Sequence, residues 1–264
     1  MAKLKSTKKE DASLRMSQHV YLNNSYTDEQ IAKMQQLDSG SWIIKDFISD
    51  SDLEHLRELI DTVEYPEHGK TSKYAGSAYE HPPYGPVMKE IFHDKLTDAI
   101  GDHTLDFFAW QEAIRPWKIH ADLRWYEDKI PYKVVLIPLD VISDKTEWED
   151  TYSLTFTQRS YLRNNQNNNQ GKKGNNDQSK WPRPIDNKNV EGCIDGYSID
   201  KKTWETYMSH MPYEYAEGLE IETIYKWEPR SAVVWEQTQL HCADNFFARD
   251  IKTKLSLIIM TNQV

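Results

Sequence analysis

At 264 residues, with 42 acidic and 32 basic side chains, the chain carries a formal charge of -10, which disfavours a surface built to neutralise a phosphate backbone with clustered Lys and Arg. A chain of this length buries a large core and suits one decorated domain. Cys193 and Cys242 are its only cysteines and form no CxxC pair, which fits a reducing compartment and a cytoplasmic protein; no apolar run approaches membrane-spanning length.

Residues 1–26 open with a Lys-rich stretch running into polar sequence and are expected to be a flexible or loosely packed segment. A single domain is expected over 27–264. Thr27 with Gln30, and Ser51 with Glu54, have capping-box spacing and predict two helix starts. The second helix carries Leu53, Leu56, Ile60 and Val63 on one face, and a third stripe is Met88, Ile91, Phe92, Leu96 and Ile100. Residues 42–47 read as a short strand between the first two helices.

From residue 105 the texture becomes aromatic and β-branched. Strands are predicted over 105–114, 133–139, 152–162, 221–227, 232–235 and 254–261, with one inserted helix over 200–211. Helices first and strands later predict a mainly β fold, a 27–104 helical buttress against a 105–264 β core. The Asn-rich stretch 164–180 has no apolar residue to offset the entropy of ordering it; it reads as a surface insertion or as a lid.

In Trp117-Lys118-Ile119-His120-Ala121-Asp122, period-two geometry points the His120 imidazole and the Asp122 carboxylate to one side of an extended chain. An isolated pair of this kind is commonly structural. The distal segment EPRSAVVWEQTQLHCADNF adds His241 after a strand-like run. Two imidazoles and a carboxylate form the facial triad of non-haem iron(II), which leaves adjacent coordination positions open. His210, in a predicted helix, is the rival third ligand.

Taken together, WIIKDFISDSDLEHLRELI, PWKIHADLRW, EPRSAVVWEQTQLHCADNF and KLSLIIMT resemble the 2-oxoglutarate and iron(II)-dependent oxygenase superfamily, in particular its prolyl-hydroxylase-like branch. The resemblance spans roughly residues 42–261. It implies a double-stranded β-helix, a jelly-roll-like barrel, with metal ligands His120, Asp122 and His241. It also implies Lys254 and Ser256 as the clamp on the far carboxylate of 2-oxoglutarate, where many relatives carry Arg in place of Lys, with Arg249 as the alternative cation. The activity implied is hydroxylation of a small-molecule or peptidyl substrate by Fe(II), 2-oxoglutarate and O2, with release of succinate and carbon dioxide and with ascorbate as a stimulating reductant. Arg124, Trp110, Gln111, Tyr126, Trp235 and Gln237 are further pocket candidates, each with core or surface packing as the plainer reading. Two other classes compete: a cupin-like metalloenzyme that does not use 2-oxoglutarate and so has no need of Lys254, and a non-catalytic jelly-roll binding module. Substrate identity and oligomeric state are left open.

Overall fold

The structure, a computed structural model, describes residues 26–62, 72–78, 84–123, 129–144, 150–161 and 190–264. Val63, Arg124, Tyr126, the segment 1–25 and the Asn-rich stretch 164–180 lie outside the described residues. In chain order the elements are α1 (Asp28–Leu37), β1 (Trp42–Ile44), α2 (Asp50–Asp61), β2 (Ser72–Ala78), α3 (Tyr84–Ile100), β3 (Thr104–Ala113), β4 (Pro131–Ser143), β5 (Tyr152–Ser160), β6 (Val190–Glu191), α4 (Lys201–Tyr207), β7 (Ile221–Lys226), β8 (Ala232–Glu236), β9 (Gln239–Ala243) and β10 (Ile251–Asn262).

The Thr27–Gln30 capping box forms as the spacing predicts. The second helix begins two residues earlier than predicted: Ser49, not Ser51, is the cap, and Asp52 returns the reciprocal bond to the Ser49 amide. Both pairs have the right spacing, and a short Asp at the third position serves the cap as well as a Glu.

Among the described residues, the strands pair antiparallel and form two sheets. One runs β1-β8-β4-β10-β3-β2, and the other is built around β5, which pairs with β6, β7 and β9. Strands β1 and β2 come from the half read as helical buttress and sit at the two ends of the six-stranded sheet. The SKYAGSA run of β2 lacks the β-branched and aromatic density that marks the other strands, so its pairing with β3 decides its conformation.

Alternation along β4 shows where the layers lie. Val135, Ile137 and Leu139 join Trp110, Leu257, Ile259 and the apolar faces of α2 and α3 in one core. Val134 and Leu136 turn the other way, to Tyr225 and Trp227 of the second sheet's side and Val233 and Trp235 of β8. A third cluster covers the second sheet with Met208, Met211, Tyr215 and Leu219. No helix among the described residues is long and apolar enough to cross a membrane.

Candidate metal centre

Residues 117–123 form no regular strand; a single antiparallel bridge docks them on β9. The His120 amide donates to the His241 carbonyl at 2.9 Å, and the His241 amide to the His120 carbonyl at 2.8 Å. Two residues on, the Asp122 amide donates to the Gln237 carbonyl at 2.9 Å. Ligands far apart in sequence are thereby set side by side by backbone hydrogen bonds, and His120, Asp122 and His241 place one donor atom each within 4.8 Å of one another.

Each imidazole is oriented by a backbone carbonyl two residues before it. His120 Nδ1 lies 2.7 Å from the Lys118 carbonyl, and His241 Nδ1 lies 3.0 Å from the Gln239 carbonyl. A carbonyl only accepts, so in each ring the proton sits on Nδ1 and the Nε2 lone pair faces the cluster. There, Asp122 Oδ1 stands 3.7 Å from His120 Nε2 and Asp122 Oδ2 stands 3.1 Å from His241 Nε2. Lone pairs converging on a carboxylate repel unless a cation lies between them. The donor set therefore fits a metal ion: ligand atoms on adjacent positions around bonds of about 2.1 Å lie roughly 3 Å apart.

Electrostatics keep the donors ready. Burial, reinforced by His241, pushes His120 down to about 4 against the pull of Asp122. Burial by itself would raise the Asp122 carboxyl, but His241, His120 and the Trp235 indole hold it down at about 2. Trp235 Nε1 donates to Asp122 Oδ2 at 3.3 Å, and its ring lies 4.6 Å from that of His241. Among the pocket candidates in the described residues, Trp235 contacts the triad side chains. Gln237 supports the site through its backbone, while its side-chain amide donates to the Thr261 carbonyl at 2.6 Å. Trp110 belongs to the core beneath the helices, edge-on to Phe108, and Gln111 is the β3 neighbour of Ser256.

His210 is apart from this group. Its Nε2 lies 3.3 Å from the Trp117 carbonyl, and it lines a cavity of about 660 Å³ with Lys118, Lys201, Trp204 and Tyr213. Helix α4 ends before it, at Tyr207.

Lys254 and Ser256 are both 1% exposed, while Leu255 and Leu257 pack toward the helices, as a period of two requires. The Lys254 ammonium donates to the Tyr152 carbonyl at 2.8 Å, lies 3.5 Å from Asp244 Oδ1, and sits 3.8 Å from the centre of the Trp227 ring. Burial pushes Lys254 down to about 8, with Asp244 opposing. Arg249 ends a short 3-10 helix (Phe246–Arg249). Its Nε donates to Asp244 Oδ2 at 2.9 Å, Nη2 reaches the Thr206 carbonyl, and the guanidinium lies over Tyr152 and Tyr207.

Sequence reasoning did not find Asp244, Tyr152 or Trp227. Trp227 Nε1 is buried and has no partner among the described residues, beside the Lys254 cation. No local pattern marks these three, because their roles arise from where β5, β7 and β9 end relative to β10.

No protein-family model matches the chain, and no curated protein matches it. Among solved structures, the chain is similar to SnoK, a non-heme alpha ketoglutarate dependent carbocyclase from nogalamycin biosynthesis, at 11% identity over 90% of this chain and 84% of that one, with a TM-score of 0.49. It is also similar to HygX from Streptomyces hygroscopicus with nickel, 2-oxoglutarate and hygromycin B bound (12%, 90% and 88%, 0.47). A third is an oxidoreductase of the 2OG-Fe(II) oxygenase family from Burkholderia pseudomallei (9%, 88% and 89%, 0.45).

Proposed function

We propose that this protein is a non-haem iron(II) and 2-oxoglutarate-dependent oxygenase on a double-stranded β-helix, with His120, Asp122 and His241 as metal ligands and Lys254 as the clamp for the co-substrate. The observation that carries it is the convergence of the three donor atoms, with the buried Lys254 ammonium held by residues farther along the same strands. Tyr152 and Asp244, which hold Lys254, each lie three residues from the cross-strand pair Thr155 and His241. By strand rise that is about 10 Å, the span of a metal bond plus an extended five-carbon diacid.

When bound, iron with 2-oxoglutarate and O2 supplies the oxidant that attacks a substrate C–H bond, releasing succinate and carbon dioxide. The chain's own residues prepare the ground for this. The two Nδ1–carbonyl bonds fix the imidazole tautomers, and the Trp235 indole fixes one carboxylate oxygen. An ammonium has three donors; one goes to the Tyr152 carbonyl and one faces Asp244, which leaves the third for the far carboxylate of 2-oxoglutarate. Arg249 is already engaged with Asp244, the Thr206 carbonyl and two tyrosine rings, so Lys254 takes the clamp and Arg249 supports it through Asp244. Lys254 and His241 are buried, and the low-dielectric surroundings strengthen the interactions each of them makes.

Hydroxylation is the default outcome in this reading, and ascorbate serves to keep the iron ferrous. Membership of the prolyl-hydroxylase-like branch rests on the sequence motifs, and a cytoplasmic location on the free Cys193 and Cys242. The test is succinate release from 2-oxoglutarate with Fe(II) and ascorbate across a panel of small-molecule and peptidyl substrates, with His241→Ala as the blank. Succinate formed equally by wild type and His241→Ala would refute the assignment.

A further inference from the structure

Thr155 and His241 are directly opposed across β5 and β9, so their side chains share a face. Gln239, two residues before His241, shares it too. Lys254, near Tyr152 and Asp244, lies along the strands in one direction from the metal ligands. Gln239 lies in the other direction, in a second polar group that the co-substrate does not use.

This group is built around Glu222, which occupies the irregularity where β7 passes Thr155 and Phe156. Its Oε2 receives Gln239 Nε2 at 2.5 Å, Thr155 Oγ1 at 3.3 Å, and Ser41 Oγ. Ser41 Oγ in turn accepts from the Tyr225 hydroxyl at 2.9 Å. Gly40, at φ +71, allows the approach: a Cβ there would stand 2.9 Å from Glu222 Oε1. Nearby, Arg159 binds Asp38 through Nε at 2.6 Å and Nη2 at 3.0 Å and directs Nη1 to the carbonyls of Phe156 and Thr157. Lys133 is paired with Glu236.

Among the described residues, the carboxylates of Asp38, Glu222 and Glu236 meet the cations Arg159 and Lys133; Asp38 takes up Arg159 and Glu236 takes up Lys133, so Glu222 keeps only a long ion-pair contact with Arg159. Arg159 Nη2 stands 3.9 Å from Glu222 Oε1, beyond hydrogen-bond reach. An independent observation comes from Gln239. The residue is 0% exposed, both directions of its amide nitrogen are taken by Phe156 O at 3.0 Å and Glu222 Oε2, and its Oε1 has no partner among the described residues. A buried acceptor left without a donor is rare in folded proteins and calls for a ligand or water at that point.

We infer that the substrate of this oxygenase carries a protonated amino group, held by Glu222 Oε1 and Gln239 Oε1 on the side of the metal ligands away from Lys254; the inference rests on the function proposed above. The open groups are acceptors, so the ligand must supply donors. The Glu222 carboxylate selects a cation over a hydroxyl. Glu222 Oε2 is already occupied by three donors, so the planar two-point grip that suits a guanidinium is not on offer, whereas a compact ammonium needs only single oxygens. The net charge of -10 favours the approach of a cation as well.

The test uses full-length protein loaded with manganese(II) and 2-oxoglutarate, and reads the proton relaxation of three probes of equal length: n-butylammonium, n-butanol and butyrate. Bound manganese relaxes protons only of a probe seated near it, so weak binding is detected without knowledge of the true substrate. The expected result is saturable relaxation of n-butylammonium, with affinity at least about tenfold above that of the other two, equivalent to ~1.4 kcal/mol. Glu222→Gln, which removes charge and keeps shape, should abolish that preference; Gln239→Met should weaken it. Retained manganese and 2-oxoglutarate melting shifts in both variants show that they are folded. Equal relaxation of the three probes, a preference for butyrate or butanol, no relaxation of any, or an unchanged preference in Glu222→Gln would each overturn the inference. Absence of a 2-oxoglutarate shift in manganese-loaded wild type, read before any probe is added, would instead overturn the oxygenase reading.

Discussion

Lys254 Nζ lies 3.5 Å from Asp244 Oδ1, and the two residues are 1% and 0% exposed. Asp244 also takes the Thr151 hydroxyl at 2.7 Å and Arg249 Nε at 2.9 Å, so one buried carboxylate organises both cations at the head of β10. Burial lowers Lys254 from 10.5 to about 8 even with this partner.

That position gives opposite signs for ligand binding and for stability. The far carboxylate of 2-oxoglutarate prefers the charged ammonium, so its affinity for manganese-loaded protein should be flat well below pH 8 and fall above it, toward tenfold per pH unit. For the ligand-free protein, the unfolded chain holds the Lys254 proton up to 10.5, so between about 8 and 10.5 it binds more protons than the folded one. This group therefore adds stability as pH rises through that window. Calorimetric titration of 2-oxoglutarate and urea unfolding across the window check the two signs, and a 2-oxoglutarate affinity that does not change with pH would contradict the clamp.

Asp244→Asn should be far more damaging than removal of a surface charge. Breaking a buried pair typically costs about 3–5 kcal/mol; Arg249, at 21% side-chain exposure, can turn toward water, so a loss near the lower end is expected. In a domain of this size that is a fall in melting temperature of roughly 6–12 °C. The double variant Asp244→Asn/Lys254→Met should recover part of the loss, because it removes the stranded cation. Thermal denaturation of the three proteins measures this, and a double variant less stable than Asp244→Asn would argue against the pair.

Each of His120→Ala, Asp122→Asn and His241→Ala should abolish the melting shift produced by manganese(II). That shift reports about 2.7 kcal/mol when the metal is at a hundred times its dissociation constant. His210→Ala should keep it, since His210 stands with the Trp117 carbonyl and outside the triad. A lost shift in His210→Ala with a retained one in His241→Ala would reassign the third ligand.

Trp235→Phe keeps an aromatic ring against His241 and removes the indole donor to Asp122 Oδ2. Partners that orient metal ligands typically contribute about 10–100-fold in metal affinity, so a weakening within that range is expected, with little change in melting temperature without metal. Isothermal titration with manganese(II) measures it; an unchanged affinity would reduce Trp235 to packing.

Where the chain announced its structure, it did so through period and spacing. The stripes of α2 and α3, the β-branched runs of β4 and β8, and the two-residue step from His120 to Asp122 are local properties, because backbone geometry alone converts them into faces. Lys254 and Ser256 against Leu255 and Leu257 follow the same rule. The short β2, the two-residue β6 and the start of α2 at Ser49 were not legible in the same way. In the strands a neighbour supplies the hydrogen bonds that local propensity does not, and at the helix start two hydroxyls with equal spacing competed for one cap.

By itself, the sequence singled out the candidate donors and charges: His120, Asp122 and His241 as metal ligands, and Lys254, with Arg249 as its alternative, as the partner of a carboxylate. Only the tertiary structure decided what stands around them. Asp244 meets Lys254 and Arg249, Trp235 meets Asp122, and Glu222 meets Ser41, Thr155 and Gln239. Apart from those of Asp244, these contacts join separate segments of the chain, so no periodicity encodes them. They depend on the register of β5 with β7 and β9 and on the single bridge between His120 and His241, and register is set by how a whole sheet packs rather than by any one strand.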